Sequence, residues 1–207
     1  MIDSQVRPND VTDRRLIAAI ASVPREDFVP KGREALAYAD RAVETGPGRF
    51  LMAARDFAKL VNAASITDED RVLDIAPGAG YSTVVLAKLA KSVVALESDD
   101  AAAGVVRDAV ARHGGGDVEV VSGSLAAGAP AKGPFNAIFV NGAVEVVPDT
   151  WINQLAEGGR LVVVVDEGVV RRARVYVRSG GKSAWRAPFD SSAPKLPGFE
   201  HAEVFRF

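Results

Sequence analysis

The chain of 207 residues contains no cysteine and only two histidines, His113 and His201. Without a thiol, disulfides, thiolate catalysis and cysteine-ligated zinc are all excluded. The two histidines stand far apart in polar or terminal surroundings, which argues against a metal centre built on them, and none is expected. No apolar run approaches the roughly 20 residues of a membrane helix, and Met1-Ile2-Asp3-Ser4 is not a charged-then-apolar leader. The net charge is only −2, giving no general attraction to nucleic acid or to an anionic membrane. No internal repeat or low-complexity tract interrupts the chain. The expectation is therefore a soluble cytoplasmic protein. With 48% hydrophobic residues it has ample material for a core.

What is present is organised around Arg71 to Tyr81. The apolar run Val72 to Ile75 has the character of a buried parallel strand, and Ser82 to Ala90 reads as the helix behind it. Between them, Gly78 and Gly80 permit positive φ and a close approach of backbone to ligand. The helix behind the loop would aim unpaired N–H groups at that ligand. A dinucleotide fingerprint, G-x-G-x-x-G, fails at Thr83. The pattern Asp74-x-Ala76-x-Gly78-x-Gly80 instead suits S-adenosylmethionine: an acid at the strand end for a cationic group, then spaced small residues. Ala76 stands where glycine is usual. The next strand, Ser92 to Leu96, ends at Glu97, an acid placed to accept both ribose hydroxyls.

The first 65 residues read as a helical and irregular cap, and residues 66–207 as the nucleotide-binding domain, the two forming one compact unit. A helix is expected over Asp10 to Val23, capped by Asp10 or Thr12 and stopped by Pro24. Pro24 to Pro30 reads as extended, Lys31 to Gly48 as a loop whose composition permits a mobile lid, and Ala53 to Ala64 as a second helix. From Arg71 on, strands alternate with helices, as in a parallel sheet with crossovers. Arg172 to Arg178 then shows period two, and Ser179-Gly180-Gly181-Lys182 is a hairpin turn into Ser183 to Phe189. The arginine row reads as a solvated face rather than an RNA contact. Glu203 to Phe207 reads as a last strand.

These residues resemble the protein-L-isoaspartate O-methyltransferase family along most of the chain. The marks are Val23-Pro24-Arg25, Phe28-Val29-Pro30 and Ala37-Tyr38-Ala39-Asp40, then Val72-Leu73-Asp74, Gly78-Ala79-Gly80-Tyr81 and Leu86-Ala87. Later come Pro134-Phe135-Asn136-Ala137-Ile138, Pro148 and Gln154 to Val162. The resemblance implies an α/β fold of the Rossmann-like class I methyltransferase type. Its central, mostly parallel seven-stranded sheet would carry helices on both faces and end in an antiparallel hairpin. It implies S-adenosylmethionine as cofactor, S-adenosylhomocysteine as product, and methylation of the carboxylate of isoaspartyl residues in damaged proteins.

The expected cofactor-binding set is Asp74, Ala76, Pro77, Gly78, Gly80, Tyr81, Glu97, Ser98, Ser124, Leu125 and Asn141. Three positions depart from the family. Its Gln-Thr-Ile-Ser segment, whose hydroxyls engage substrate, aligns with Arg49-Phe50-Leu51-Met52, and its following proline with Ala54; only Arg49 is left as a candidate substrate contact. Its Gly-Asp-Gly becomes Gly123-Ser124-Leu125, and the acid of its Pro-(Tyr/Phe)-Asp becomes Asn136. The acceptor is thus a peptide or protein, or a small molecule. The alternative is a divergent member that binds S-adenosylmethionine without isoaspartate activity.

Overall fold

A computed structural model of the chain describes residues 1–201. The cap begins with two short helical turns and then α1, Arg14–Ala21. The α1 cap is Asp13, which accepts from the backbone N–H groups of Arg15 and Leu16 at 2.8 and 3.3 Å. This corrects the assignment of the cap to Asp10 or Thr12: Asp10 lies in a left-handed turn at φ 63°, outside helical geometry. Pro24 to Pro30, expected to be extended, contains a tight helical turn at Arg25–Phe28. The side chain of Arg25 is buried there, donating to the Ala37 and Met52 carbonyls at 2.9 and 2.6 Å. Within the expected 31–48 loop, a second turn at Glu34–Tyr38 precedes strand β1, Val43–Gly46. β1 pairs antiparallel with β2, Arg49–Leu51, so the supposed loop is half of a small hairpin. Helix α2, Ala54–Ala64, follows.

The main sheet then forms in sequence: β3 Arg71–Ile75, α3 Tyr81–Ala87, β4 Ser92–Glu97, α4 Asp100–His113, β5 Asp117–Ser122 and β6 Phe135–Val144. After α5, Asp149–Asn153, come β7 Leu155–Asp166, β8 Arg171–Ser179 and β9 Lys182–Asp190. The spatial order is β5-β4-β3-β6-β7-β8-β9. The first five strands are parallel, and β8 and β9 are antiparallel to their neighbours. The expected seven strands and terminal hairpin are thus present. α3 is shorter than expected, ending at Ala87 rather than Ala90. The last expected strand, Glu203 to Phe207, lies outside the described residues.

Val72 to Ile75 are wholly buried, because both faces of the sheet are covered. Side chains alternate between two apolar clusters. Val72, Phe139 and Val162 pack with the cap residues Leu16, Phe57 and Leu60 and with Val84 of α3. Leu73, Ile138 and Leu161 pack on the other face with Trp151, Leu196 and Phe199. Among the described residues that second face carries the five-residue α5, short turns and the segment after β9. This segment behaves as a strap. Ser191 and Ser192 bond to the buried Asp56 of α2, and residues 194–199 hydrogen-bond to Ala143 near the end of β6 and to Glu145 and Val146 just beyond it. Among the described residues no helix is long and apolar enough to cross a membrane.

The arginine row on β8 is neutralised rather than merely solvated. Arg172 and Arg174 both pair with Glu167, at 2.8 and 2.7 Å, and Arg174 lies 4.1 Å over the ring of Trp185. Arg178 donates to the carbonyls of Asn153 and Leu155.

Candidate functional site

The sheet reverses direction of growth beside β3: β4 and β5 are added on one side, β6 and β7 on the other. In open α/β sheets ligands bind at the carboxyl ends of the strands flanking such a switch point. Here that position is held by the loop after β3, the ends of β4 and β5, and the end of β6.

The loop is fixed from within. Ala76 donates its N–H to the Leu96 carbonyl at 2.9 Å, and Gly80 donates to the Pro77 carbonyl at 3.0 Å. Gly78 and Gly80 take φ of 61° and 87°. Ala76 is also left-handed, at φ 57°, a conformation that costs an alanine about 1–2 kcal/mol. A Cβ on Gly80 would lie 2.9 Å from Ala109 of α4, so this glycine serves close packing as well as the turn.

Asp74 is completely buried and organises the loop. Its carboxylate accepts from Ser82 Oγ at 2.8 Å, Thr83 Oγ1 at 2.6 Å and Asn141 Nδ2 at 2.6 Å. Burial pushes its pKa up to about 7, against the downward pull of those three bonds. Asn141 also donates to the Ile75 carbonyl, bridging β6 to β3 across the switch point. Ser82 and Thr83 are therefore site residues that sequence reasoning missed; two hydroxyls placed eight and nine residues after the strand acid were the available signal. Tyr81 lies differently from its neighbours. Its ring packs between Phe28 and Phe57, with the Arg25 guanidinium 4.8 Å above it, and only its backbone belongs to the loop.

Glu97, also fully buried, ends β4 and receives five hydrogen bonds. Gly78 N–H donates at 2.7 Å and Ser98 N–H at 3.1 Å. The remaining donors come from Arg49, whose Nε lies 3.1 Å from both carboxylate oxygens and whose Nη2 lies 2.8 Å from Oε2. Arg49 also reaches Ser98 Oγ at 3.2 Å. Its side chain is only 14% exposed. The candidate substrate contact thus sits on the candidate ribose acid, a juxtaposition no spacing in the sequence announces.

Ser124 caps the turn Leu125–Ala127 after β5, and Leu125 shares the apolar cluster of Ala76 and Leu96. Pro77 is buried at the base of the loop. The expected residues therefore gather along one edge, with Arg49, Gly78, Glu97 and Ser98 in mutual contact and Asp74 and Asn141 in a second cluster.

Two spaces adjoin this edge. A cavity of about 440 Å³ is lined by Thr45, Arg49, Gly78, Ser98, Asp99 and the first turns of α4. Thr45 Oγ1 is buried there without a hydrogen-bond partner among the described residues. A second space, of only about 10 Å³, lies among Phe50, Met52, Tyr81, Ser82 and Asn141. Leu51 and Met52 are 4% and 3% exposed, so the segment after Arg49 is packed core rather than a polar surface.

The donor set fits S-adenosylmethionine: a vicinal diol matches the paired oxygens of Glu97, and glycines without Cβ admit the ligand to the backbone.

The family model for protein-L-isoaspartate(D-aspartate) O-methyltransferase matches residues 1–188. The chain belongs to this family. Among the relatives of the family it resembles, a protein-L-isoaspartate O-methyltransferase of Methanoculleus marisnigri is 38% identical over 80% of this chain and 75% of that protein. One from Herpetosiphon aurantiacus is 31% identical over 98% of this chain and 92% of its own. Of solved structures, a protein-L-isoaspartate O-methyltransferase superposes with a TM-score of 0.80 at 24% identity, over 93% of this chain and 64% of that one. A structure assigned to the Plasmodium falciparum member, in complex with S-adenosyl-L-homocysteine, superposes at 0.81 with 19% identity, over 94% and 95% of the two chains. These superpositions extend the family's class I methyltransferase fold to the cap as well as the sheet.

Proposed function

We propose that this protein is an S-adenosylmethionine-dependent methyltransferase acting on a carboxylate of isoaspartyl residues in protein or peptide acceptors. The observation that carries the reading is Glu97: a buried acid at the end of β4, joined through Gly78 N–H to the glycine loop of β3, in a chain with family membership over residues 1–188.

Bound S-adenosylmethionine supplies an electrophilic methyl group and a neutral thioether leaving group. The chain's residues then have a limited task. Glu97 would take the ribose hydroxyls, and Gly78 and Gly80 would let the backbone close on the ligand. Ser98, Ser124 and Leu125 would hold the adenosine, while Asp74 and Asn141 fix the loop from within. A carboxylate with a pKa near 4 is ionised at neutral pH, so attack on the methyl carbon needs no general base. Transfer would form a C–O bond to the acceptor as the C–S bond breaks, leaving the electron pair on sulfur. Alignment and exclusion of water account for the rate.

One observation favours a second reading. The apolar packing of Leu51 and Met52 removes the hydroxyls that the family directs at its substrate, which favours an altered acceptor or a protein that binds the cofactor without transfer. Calorimetric titration with S-adenosylmethionine, followed by a methyl-transfer assay on an isoaspartyl peptide, separates these. Binding with transfer is the expected result. Binding without transfer supports the second reading, and no binding refutes both.

A further inference from the structure

Glu97 has more donors than a diol would leave room for. A carboxylate offers about four lone-pair sites, and here four N–H groups occupy them, two of them on Arg49, whose Nε–H is shared between both oxygens. The backbone donors Gly78 N–H and Ser98 N–H are fixed by the loop and by the strand end. Arg49 is the side-chain partner, on the second strand of a short hairpin whose turn is Pro47-Gly48. Ribose hydroxyls and the Arg49 guanidinium therefore compete for the same atoms.

The destination of a displaced guanidinium is also defined. Arg49 and Thr45 both line the cavity of about 440 Å³, and the buried Thr45 Oγ1, 3.4 Å from where a Cβ on Gly78 would lie, has no hydrogen-bond partner among the described residues. A cationic fork beside an unused hydroxyl suits a carboxylate, because bidentate Arg–carboxylate pairing is both strong and directional. Asp99 at the cavity's rim is committed to Ala102 N–H and Ser98 Oγ, at 2.9 and 3.0 Å.

We propose that Arg49 is a ligand shared between two sites: the cofactor's ribose displaces it from Glu97, and the freed guanidinium, with Thr45, then holds the acceptor carboxylate. Arg49 is accordingly a positioning residue that opposes cofactor binding alone and couples it to acceptor binding. The proposal rests on the methyltransferase reading above and adds a sign to it. Removing this arginine strengthens cofactor binding, whereas removing an ordinary pocket residue weakens it.

The test is calorimetric titration of S-adenosylhomocysteine into the wild-type chain and into Arg49→Gln and Arg49→Lys, with and without an isoaspartyl peptide, with thermal melting as the folding control. Arg49→Gln is expected to bind S-adenosylhomocysteine about tenfold more tightly or better, within the usual range of coupling between sites. Arg49→Lys, which keeps the charge but loses the fork, falls between. In the wild type the peptide raises S-adenosylhomocysteine affinity, and in Arg49→Gln it has no effect. If folded Arg49→Gln binds S-adenosylhomocysteine equally or more weakly, the role of Arg49 is overturned and the methyltransferase reading stands. If the wild type binds normally but does not respond to peptide, the coupling is overturned. If neither protein binds S-adenosylhomocysteine, the methyltransferase reading falls, and the shared-ligand role with it.

Discussion

Asp74→Asn isolates the titration of one buried carboxyl group. Burial moves Asp74 from its ordinary 3.8 up to about 7, and the nearby charge of Glu97 adds to the rise. Between these values the folded protein holds a proton that the unfolded chain has already released. Folding therefore takes up a proton, and stability falls as pH rises, by about 1.4 kcal/mol per pH unit. Across the roughly three units of the shift the loss sums to about 4 kcal/mol. The stabilising contribution is fully present below the unfolded value and is gone above the folded one. Urea unfolding of both proteins, from about pH 4 to about pH 8, gives the two stabilities. Subtracting one from the other cancels the titration of carboxylates common to both. The wild-type advantage over Asp74→Asn is expected to shrink by about 4 kcal/mol and then level off near neutrality. A difference that stays flat, or that grows with pH, would mean an ionised Asp74 throughout and would refute the argument from burial.

Gly80→Ala places a Cβ 2.9 Å from Ala109 at φ 87°, so left-handed strain and overpacking together should cost about 2–4 kcal/mol by thermal or urea unfolding. Asp56→Ala removes the acceptor of Ser191 Oγ, Ser192 N–H and Ser192 Oγ; a loss of about 2–4 kcal/mol is expected, with faster amide exchange confined first to residues 191–200. Phe50→Thr with Met52→Ser restores hydroxyls beside the smallest space in the site. The pair should cost about 1–3 kcal/mol for each buried hydroxyl left unpaired, yet raise kcat/KM on an isoaspartyl peptide by about tenfold or more. Unchanged kcat/KM in a folded variant would leave Arg49 and Thr45 as the acceptor contacts, with none from this space.

The strands and their order of appearance were legible because buried parallel strands are written as short apolar runs, and Val72 to Ile75, Ile138 to Val140 and Leu161 to Val165 are such runs. The β8–β9 hairpin was legible from period-two alternation and the Gly180-Gly181 turn. The cap was harder. β1 and β2 are four and three residues long, too short for periodicity, and their pairing hid inside what reads as loop. Buried Arg25 also defies composition rules, since what permits it is two carbonyls at Ala37 and Met52 that only the fold supplies. In the site, the glycine loop and Glu97 followed from local pattern. The partnership of Arg49 with Glu97 spans 48 positions, and no local pattern encodes it. Asp74 was read as a group facing a cation; its saturation by Ser82, Thr83 and Asn141 depends on how α3 and β6 meet the loop.

The strap has a consequence for biosynthesis. A Cβ on Gly48 would lie 2.7 Å from Pro197, so the turn that carries Arg49 is roofed by residues made long after it. Those residues also lie beyond the stretch matched by the family model, which stops at residue 188. As the chain leaves the ribosome from its N-terminus, the β1–β2 hairpin emerges early and the sheet grows behind it. The hairpin stays uncovered until the segment around Pro197 arrives. Asp56, too, paired with Arg55 through Oδ1, waits with Oδ2 unfilled until Ser191 and Ser192 are synthesised. A nascent chain halted after β9 would hold every strand of the main sheet among the described residues and still lack the Pro197 that packs on Gly48, the residue before Arg49.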